Sequence, residues 1–508
     1  MTATVSTNDD ARQAGRGFLF ITGAKIWFLL TATFASLAFP RLFGDPVLFG
    51  RYRVVSGLLN VVTMVVITAT VQAVSKLVSE SGASVRSVRR SALTIQTLLF
   101  GPVFIVMFVL ADRIAGFLLL DPGLGTPLRV ASVVVIAYAY YAVPVGALNG
   151  TRQFGRQAAL DVSFSTMKTG LMVGLVVATG SVTWAFGGFA AAALAVLGLS
   201  LFVARVGPDD PPGLPVRVRY LAYLLPLGGY ALVLNLLLQA DIIGLKASLG
   251  GGLDSLWPDA STADMASMAA GIYGAVKNVA TIPYQAVISL TFVVFPFVSR
   301  ATSASDGAAA DSAVSGAMRL AAVLSGMATA MLGATGGGLV TLLFGAPYAG
   351  GSQVLVPLLA AVSIMSLMFV GNAILASAGR PLVSLFSGGV AAAVQVGLLF
   401  AWLPGKVDGP GAWSVAASAT AAGCASGAVI CLAYLKMTFP KAAWVRTTTL
   451  AATGAVIALG LDRLVLSDVA WPVRSLAAGA VFAGVLLVTR GVGPADLHAV
   501  RGMLFRAK

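Results

Sequence analysis

Apolar residues run in blocks of about 20 along most of this chain, broken by short stretches of Arg, Lys, Asp, Pro and Gly. A bilayer core of roughly 30 Å is crossed by about 20 apolar helical residues. On that ruler the pattern predicts an all-α polytopic membrane protein with about fourteen transmembrane helices. Six fall within residues 17–206, six within 220–435 and two within 436–489. Between the sixes, Pro208-Asp209-Asp210-Pro211-Pro212 marks 207–219 as a cytoplasmic linker. Residues 1–16, with Asp9, Asp10, Arg12 and Arg16, read as a cytoplasmic tail, and 490–508 as a second one. The first apolar run is too long for a signal-peptide core and reads as an uncleaved span.

Composition narrows the class. Of 508 residues, 58% are hydrophobic and 10% charged, against roughly 25% charged in soluble proteins. So few charges cannot cover a water-facing surface of this length, which excludes the soluble-enzyme classes. The net charge of +14 would suggest nucleic acid as a partner in a soluble chain. Here the cations sit in short loops, as the positive-inside rule demands, so no nucleic-acid partner is expected. With the N-terminus inside, about 21 cations fall in cytoplasmic segments and about 10 outside. Arg86, Arg89, Arg90, Lys436, Lys441 and Arg446 dominate that bias, while Arg51 and Arg53 run against it. Both termini, Ser81 and Ser305 are expected in the cytoplasm. His498 is the single histidine, and Cys424 and Cys431 lie two turns apart on one helix face, too far to bridge. No metal site, catalytic residue or cofactor is expected, and no Walker motif is present.

The punctuation also repeats. Gly50-x-Tyr52-x-x-Val55 opens the second span and Gly271-x-Tyr273-x-x-Val276 the eighth. Val74-Ser75-Lys76 closes the second, Val298-Ser299-Arg300 the eighth. Six spans is an even number, so both halves enter the membrane with the same polarity. Parallel repeats of this kind predict a transporter with its substrate path between the halves.

Ionisable groups inside spans cost about 2.5–3.5 kcal/mol each on insertion scales. Lys25 lies in the first span. Asp161 and Lys168 share one stripe of the fifth, with Ser165 between them, as a packing ion pair or as the polar wall of a cavity. The second span carries Arg53, Ser56, Asn60, Thr63 and Thr70. In the eighth, Lys277 stands among Tyr273, Thr281 and Tyr284, and tyrosine offers a sugar-stacking face with a hydrogen-bonding tip. Asn235, Gln239 and Lys246 form a stripe of the seventh span, with Asp241 aside from it; Lys246 either lines that stripe or snorkels to the interface.

Together with the layout, certain motifs carry a resemblance. They are Gln72-Ala73-Val74-Ser75-Lys76, Gly271-Ile272-Tyr273, Phe295-Pro296-Phe297-Val298-Ser299-Arg300, and Leu343-Phe344-Gly345 with Tyr348. The chain resembles the multidrug/oligosaccharidyl-lipid/polysaccharide (MOP) exporter superfamily, and within it polysaccharide-biosynthesis flippases of the Wzx type. The resemblance implies two six-helix lobes around a V-shaped cavity, plus two C-terminal helices. It implies alternating access in a bacterial inner membrane, with undecaprenyl-diphosphate-linked oligosaccharide as cargo. Lys25, Arg53 and Lys277 match, span by span, the cations that such proteins use for the diphosphate. Lys168, Tyr273 and Tyr284 complete the candidate substrate-binding set, and Asp161 and Asp241 are candidates for coupling. Membrane lipids and polysaccharide polymerases or glycosyltransferases are the implied partners. Two other functions share this fold: a multidrug antiporter, whose cavity would favour acidic residues, and a lipid II flippase. A membrane polymerase or ligase would need a large outside loop, and the longest here, near Gly250 to Met268, has about twenty residues.

Overall fold

Helix follows helix through the whole of the computed structural model, which describes residues 3–80, 84–203, 216–248, 262–288, 298, 306–403 and 409–491. The long helices are α1 Ala3–Phe43, α2 Pro46–Ser79, α3 Val85–Val109, α4 Gly125–Gly150, α5 Phe154–Thr179, α6 Val182–Val203 and α7 Val216–Ser248. They continue as α8 Thr262–Ala280, α9 Gly307–Ala334, α10 Leu355–Ser377, α11 Pro381–Trp402, α12 Gly409–Thr438, α13 Val445–Val465 and α14 Trp471–Val488. No strand occurs among the described residues. Among the described residues, thirteen helical segments are long and apolar enough to cross a membrane, so the chain is a multi-pass membrane protein. α8, rich in Ala and carrying Asp264, Lys277 and Asn278, is not among the thirteen. Ser81, Ser305, His498, residues 207–215 of the linker and all of Phe295–Arg300 except Val298 lie outside the described residues.

Local chemistry sets the breaks. Gly44 takes φ +67° after α1, and Asp45 caps α2 by accepting from Val47 N at 2.8 Å, with Pro46 at the first helical position. Two boundaries differ from the sequence pattern. α1 begins at Ala3, so the segment that reads as a polar tail continues the first helix. α8 begins at Thr262, inside the stretch that reads as an outside loop, since Asp264 and Ser267 look like loop residues until their partners are seen.

Two compact units divide the chain at Gly271 and Ile272, within α8. In the first, α2 packs along α4 and α7, and α1 along α5. Ala69, Val74, Leu77, Val88, Ile95, Val143 and Leu224 form part of its core, where buried Gln96 donates to Thr70 and, at 2.7 Å, to Tyr220. Glu80, the only glutamate, pairs with Arg219 and accepts from Tyr223 at 3.3 Å, tying the end of α2 to the start of α7. In the second unit α9 packs against α13 and α14, and α12 against α10 and α11. Phe482 of α14 fills the space above Gly326 and Gly454. Arg474 grips buried Asp462 with two bonds of 2.8 and 2.7 Å, closing the α13–α14 hairpin.

Candidate functional site

Lys25 and Asp161 meet across the α1–α5 seam, Nζ to Oδ2 at 3.2 Å. Nearby, Trp27 Nε1 donates to Thr166 at 2.9 Å. Lys25 keeps 48% of its side chain exposed, whereas Asp161 is mostly covered. The stripe shared by Asp161 and Lys168 does not make them partners. Seven residues are about 10.5 Å of helix, and Asp161 is given to Lys25 instead. Lys168 Nζ lies 4.2 Å from the centre of the Phe189 ring. Tyr138 stands edge-on to both Phe189 and Phe164, so the lysine caps an aromatic cluster. A cation over such a face gains about 0.5–2 kcal/mol.

In the α2–α7 seam, fully buried Asp241 stands within electrostatic reach of Arg53. Gly57 opens the seam here: a methyl in its place would touch Gln239 Oε1 at 3.4 Å and Ile243 at 3.5 Å. Arg53 Nε and Gln239 Oε1 are both buried with no hydrogen-bond partner. Each such group costs about 1–3 kcal/mol. An unsatisfied guanidinium donor in a dry seam is suited to a phosphate oxygen, which the planar fork of arginine fits.

A second charged cluster, at the start of α2, went unread in the sequence. Asp121, which caps the 3-10 turn Pro122–Leu124 leading into α4 and is 2% exposed, accepts from Arg51 Nε at 3.0 Å and from Lys246 Nζ at 3.1 Å. Ser267 Oγ donates to the same carboxylate at 3.2 Å. Arg51 reaches Asp264 at 2.9 Å. Burial pushes the Asp121 carboxyl up, but hydrogen bonds from Arg51 and Lys246 and the charges of both outweigh it. The carboxyl is held below its ordinary value of 3.8. Lys246 does not snorkel; it is fully buried and also donates to Ala263 O at 2.6 Å and Ser267 Oγ at 2.7 Å. Arg51, a cation that ran against the charge bias, is neutralised by two aspartates. The sequence signal was only Asp121-Pro122-Gly123, a capped turn whose Asp121 Oδ1 accepts from Gly123 N at 3.0 Å.

The repeated glycines meet next to this cluster. A methyl on Gly50 would lie 1.7 Å from Ser267 O, and one on Gly271 would lie 2.1 Å from Pro46 O. Backbone touches backbone there, and no other residue fits.

In the second unit, Tyr273 is fully buried, its ring covered, and Lys277 one turn on is 4% exposed. The chain turns at Thr281 and is helical again over 282–288. Half-buried Tyr284 sits edge-on to Phe369, ring centres 5.5 Å apart at 79°.

No family model and no curated protein matches the chain in sequence. Solved structures match it in fold. The inward closed conformation of the lipid II flippase MurJ aligns with a TM-score of 0.71 at 12% identity, over 93% of this chain and 99% of that one. An inward-facing multidrug resistance MATE family transporter of the MOP superfamily gives 0.63 at 13% identity, over 80% and 96%. A eukaryotic MATE transporter gives 0.57 at 13% identity, over 88% and 99%. At such identities the likeness establishes architecture: the chain has the helical fold of MurJ and the MATE transporters.

Proposed function

We propose that this protein is a flippase for undecaprenyl-diphosphate-linked oligosaccharide in a bacterial inner membrane, working by alternating access. The observation that carries this reading is the set of cations inside the spans and on α8. Among the candidate residues, Lys25, Arg53 and Lys168 in spans and Lys277 on α8 outnumber Asp161 and Asp241, and Arg53 keeps a buried, unsatisfied donor. A diphosphate entering a partly dehydrated site needs fixed positive charge and N–H donors, and Lys and Arg supply both. Lys277 is the strongest single candidate, buried one turn from Tyr273. A multidrug antiporter for cationic compounds would reverse this balance of charge. The polysaccharide pathway is favoured by the resemblance of the sequence motifs to those of Wzx-type flippases, and the fold likeness to MurJ supports lipid II as a second cargo.

Deletion of the gene tests the reading. Lipid-linked oligosaccharide is expected to accumulate on the cytoplasmic leaflet. Wild-type protein should clear it, and the Lys25→Ala, Lys277→Ala variant, at equal protein level, should not. Loss of one charge-assisted phosphate contact, about 1.5–3 kcal/mol, lowers cargo affinity by roughly tenfold or more. Growth rescue of cells depleted of their lipid II flippase would select the second cargo. Ethidium efflux without either lipid phenotype would overturn the proposal.

A further inference from the structure

The first half of α8, itself part of the first unit, is held on α2 and α7 by charge as well as by close packing. Lys246 Nζ has three N–H donors, and all three are used, on Asp121, Ala263 O and Ser267 Oγ. Asp121 gathers Arg51 from α2, Lys246 from α7 and Ser267 from α8, and Arg51 extends to Asp264 on α8. Three groups on α8, Ala263 O, Asp264 and Ser267, therefore end in one network. One turn further, Gly271 lies against Pro46 and Gly50 of α2 with no room for a methyl. Lys277 follows six residues later on the same helix.

Static stability does not require such a network, since apolar residues of equal volume pack a seam as well or better. A charged seam differs from an apolar one in how it opens. Its attractions are strong while dry and collapse once water raises the local dielectric. Release is then cooperative, and the freed groups are readily hydrated.

We propose that Asp121, Lys246, Arg51 and Asp264 form a latch that holds the start of α8 on α2 in this conformation and that the transport cycle breaks and remakes. These are positioning residues. They act through α8 on Lys277 and do not touch cargo. The inference rests on the protein being an alternating-access transporter, whatever it carries.

The test uses full-length protein in lipid nanodiscs, with Cys424 and Cys431 replaced by Ala. Ala270→Cys, at a fully buried position of α8, reports opening by its rate of reaction with a maleimide. Ala139→Cys, equally buried on α4, reports general loosening. Asp121→Asn leaves two cations facing Asp264 alone and should speed labelling at 270 at least tenfold. Asp264→Asn, at a partly exposed site that folding tolerates, should speed it about threefold. The Asp121→Asn, Lys246→Met double variant strands no buried cation but keeps only the Arg51–Asp264 bond to α8, so its labelling at 270 should stay faster than wild type. Labelling at 139 should stay unchanged, at temperatures well below each variant's melting point. Equal rates at 270 in all variants, or a parallel rise at 139, would overturn the latch. That outcome leaves the proposed cargo standing. Failure of the oligosaccharide assay with an intact labelling order removes the cargo and keeps the latch.

Discussion

Asp121 shows how one residue can tie a local network to pH. It faces Arg51 from α2, Lys246 from α7 and Ser267 from α8, with Asp264 across Arg51. Its carboxyl is depressed below 3.8 in the folded protein. The stability it contributes is therefore complete above the unfolded carboxyl's value and lost as pH falls through the lower folded value. Wild-type protein should lose melting temperature as pH falls below the ordinary carboxylate value, and Asp121→Asn should lack that component of the slope. Identical slopes in the two proteins would refute it. Lys168 makes a different prediction. Its cation rests on Phe189 and its stripe-mate Asp161 belongs to Lys25, so Lys168→Met leaves no carboxylate stranded. Protein level should hold while oligosaccharide export falls severalfold; unchanged export removes Lys168 from the site.

At the scale of elements, α2 and α8 depend on two glycines that the sequence already pairs. Gly50→Ala or Gly271→Ala drives a methyl into a carbonyl at 1.7 or 2.1 Å, which the backbones can relieve only by separating. The expected cost is about 1–3 kcal/mol or more, read as a lower melting temperature. Gly57→Ala on the same helix, with 3.4 Å of clearance, should be close to neutral because Ala favours helix. The repeat made these glycines legible as matching punctuation, but not as contacts, because no local pattern encodes a meeting of residues so far apart. Long apolar blocks likewise announced the helices, since burial in lipid imposes a length that composition displays. What the sequence hid was partnership. Asp264 and Ser267 read as loop residues and Lys246 as a snorkelling one, because a polar residue's neighbours along the chain say nothing of its neighbours across a seam. Lys25 and Asp161 were both singled out, yet only coordinates pair them.

For the whole molecule, topology is the first thing to test. Cysteines placed at Ser81 and Ser305 should react with an impermeant reagent in inverted vesicles and resist it in intact cells; the opposite pattern would reverse the orientation. α2 is tied to α7 at both ends, by Glu80 with Arg219 and by Arg51 and Lys246 on Asp121. While the cluster on Asp121 is closed, the two helices are expected to move as one body. The bidentate clasp of Arg474 on Asp462 bears on how the chain is made. During synthesis Asp462 leaves the ribosome before Arg474, and α13 alone would carry into lipid a carboxylate costing about 2.5–3.5 kcal/mol. The insertion machinery has reason to retain α13 until α14 arrives and then release the two with Asp462 paired to Arg474. A chain ending between them would linger at the translocon and become a substrate for membrane proteases.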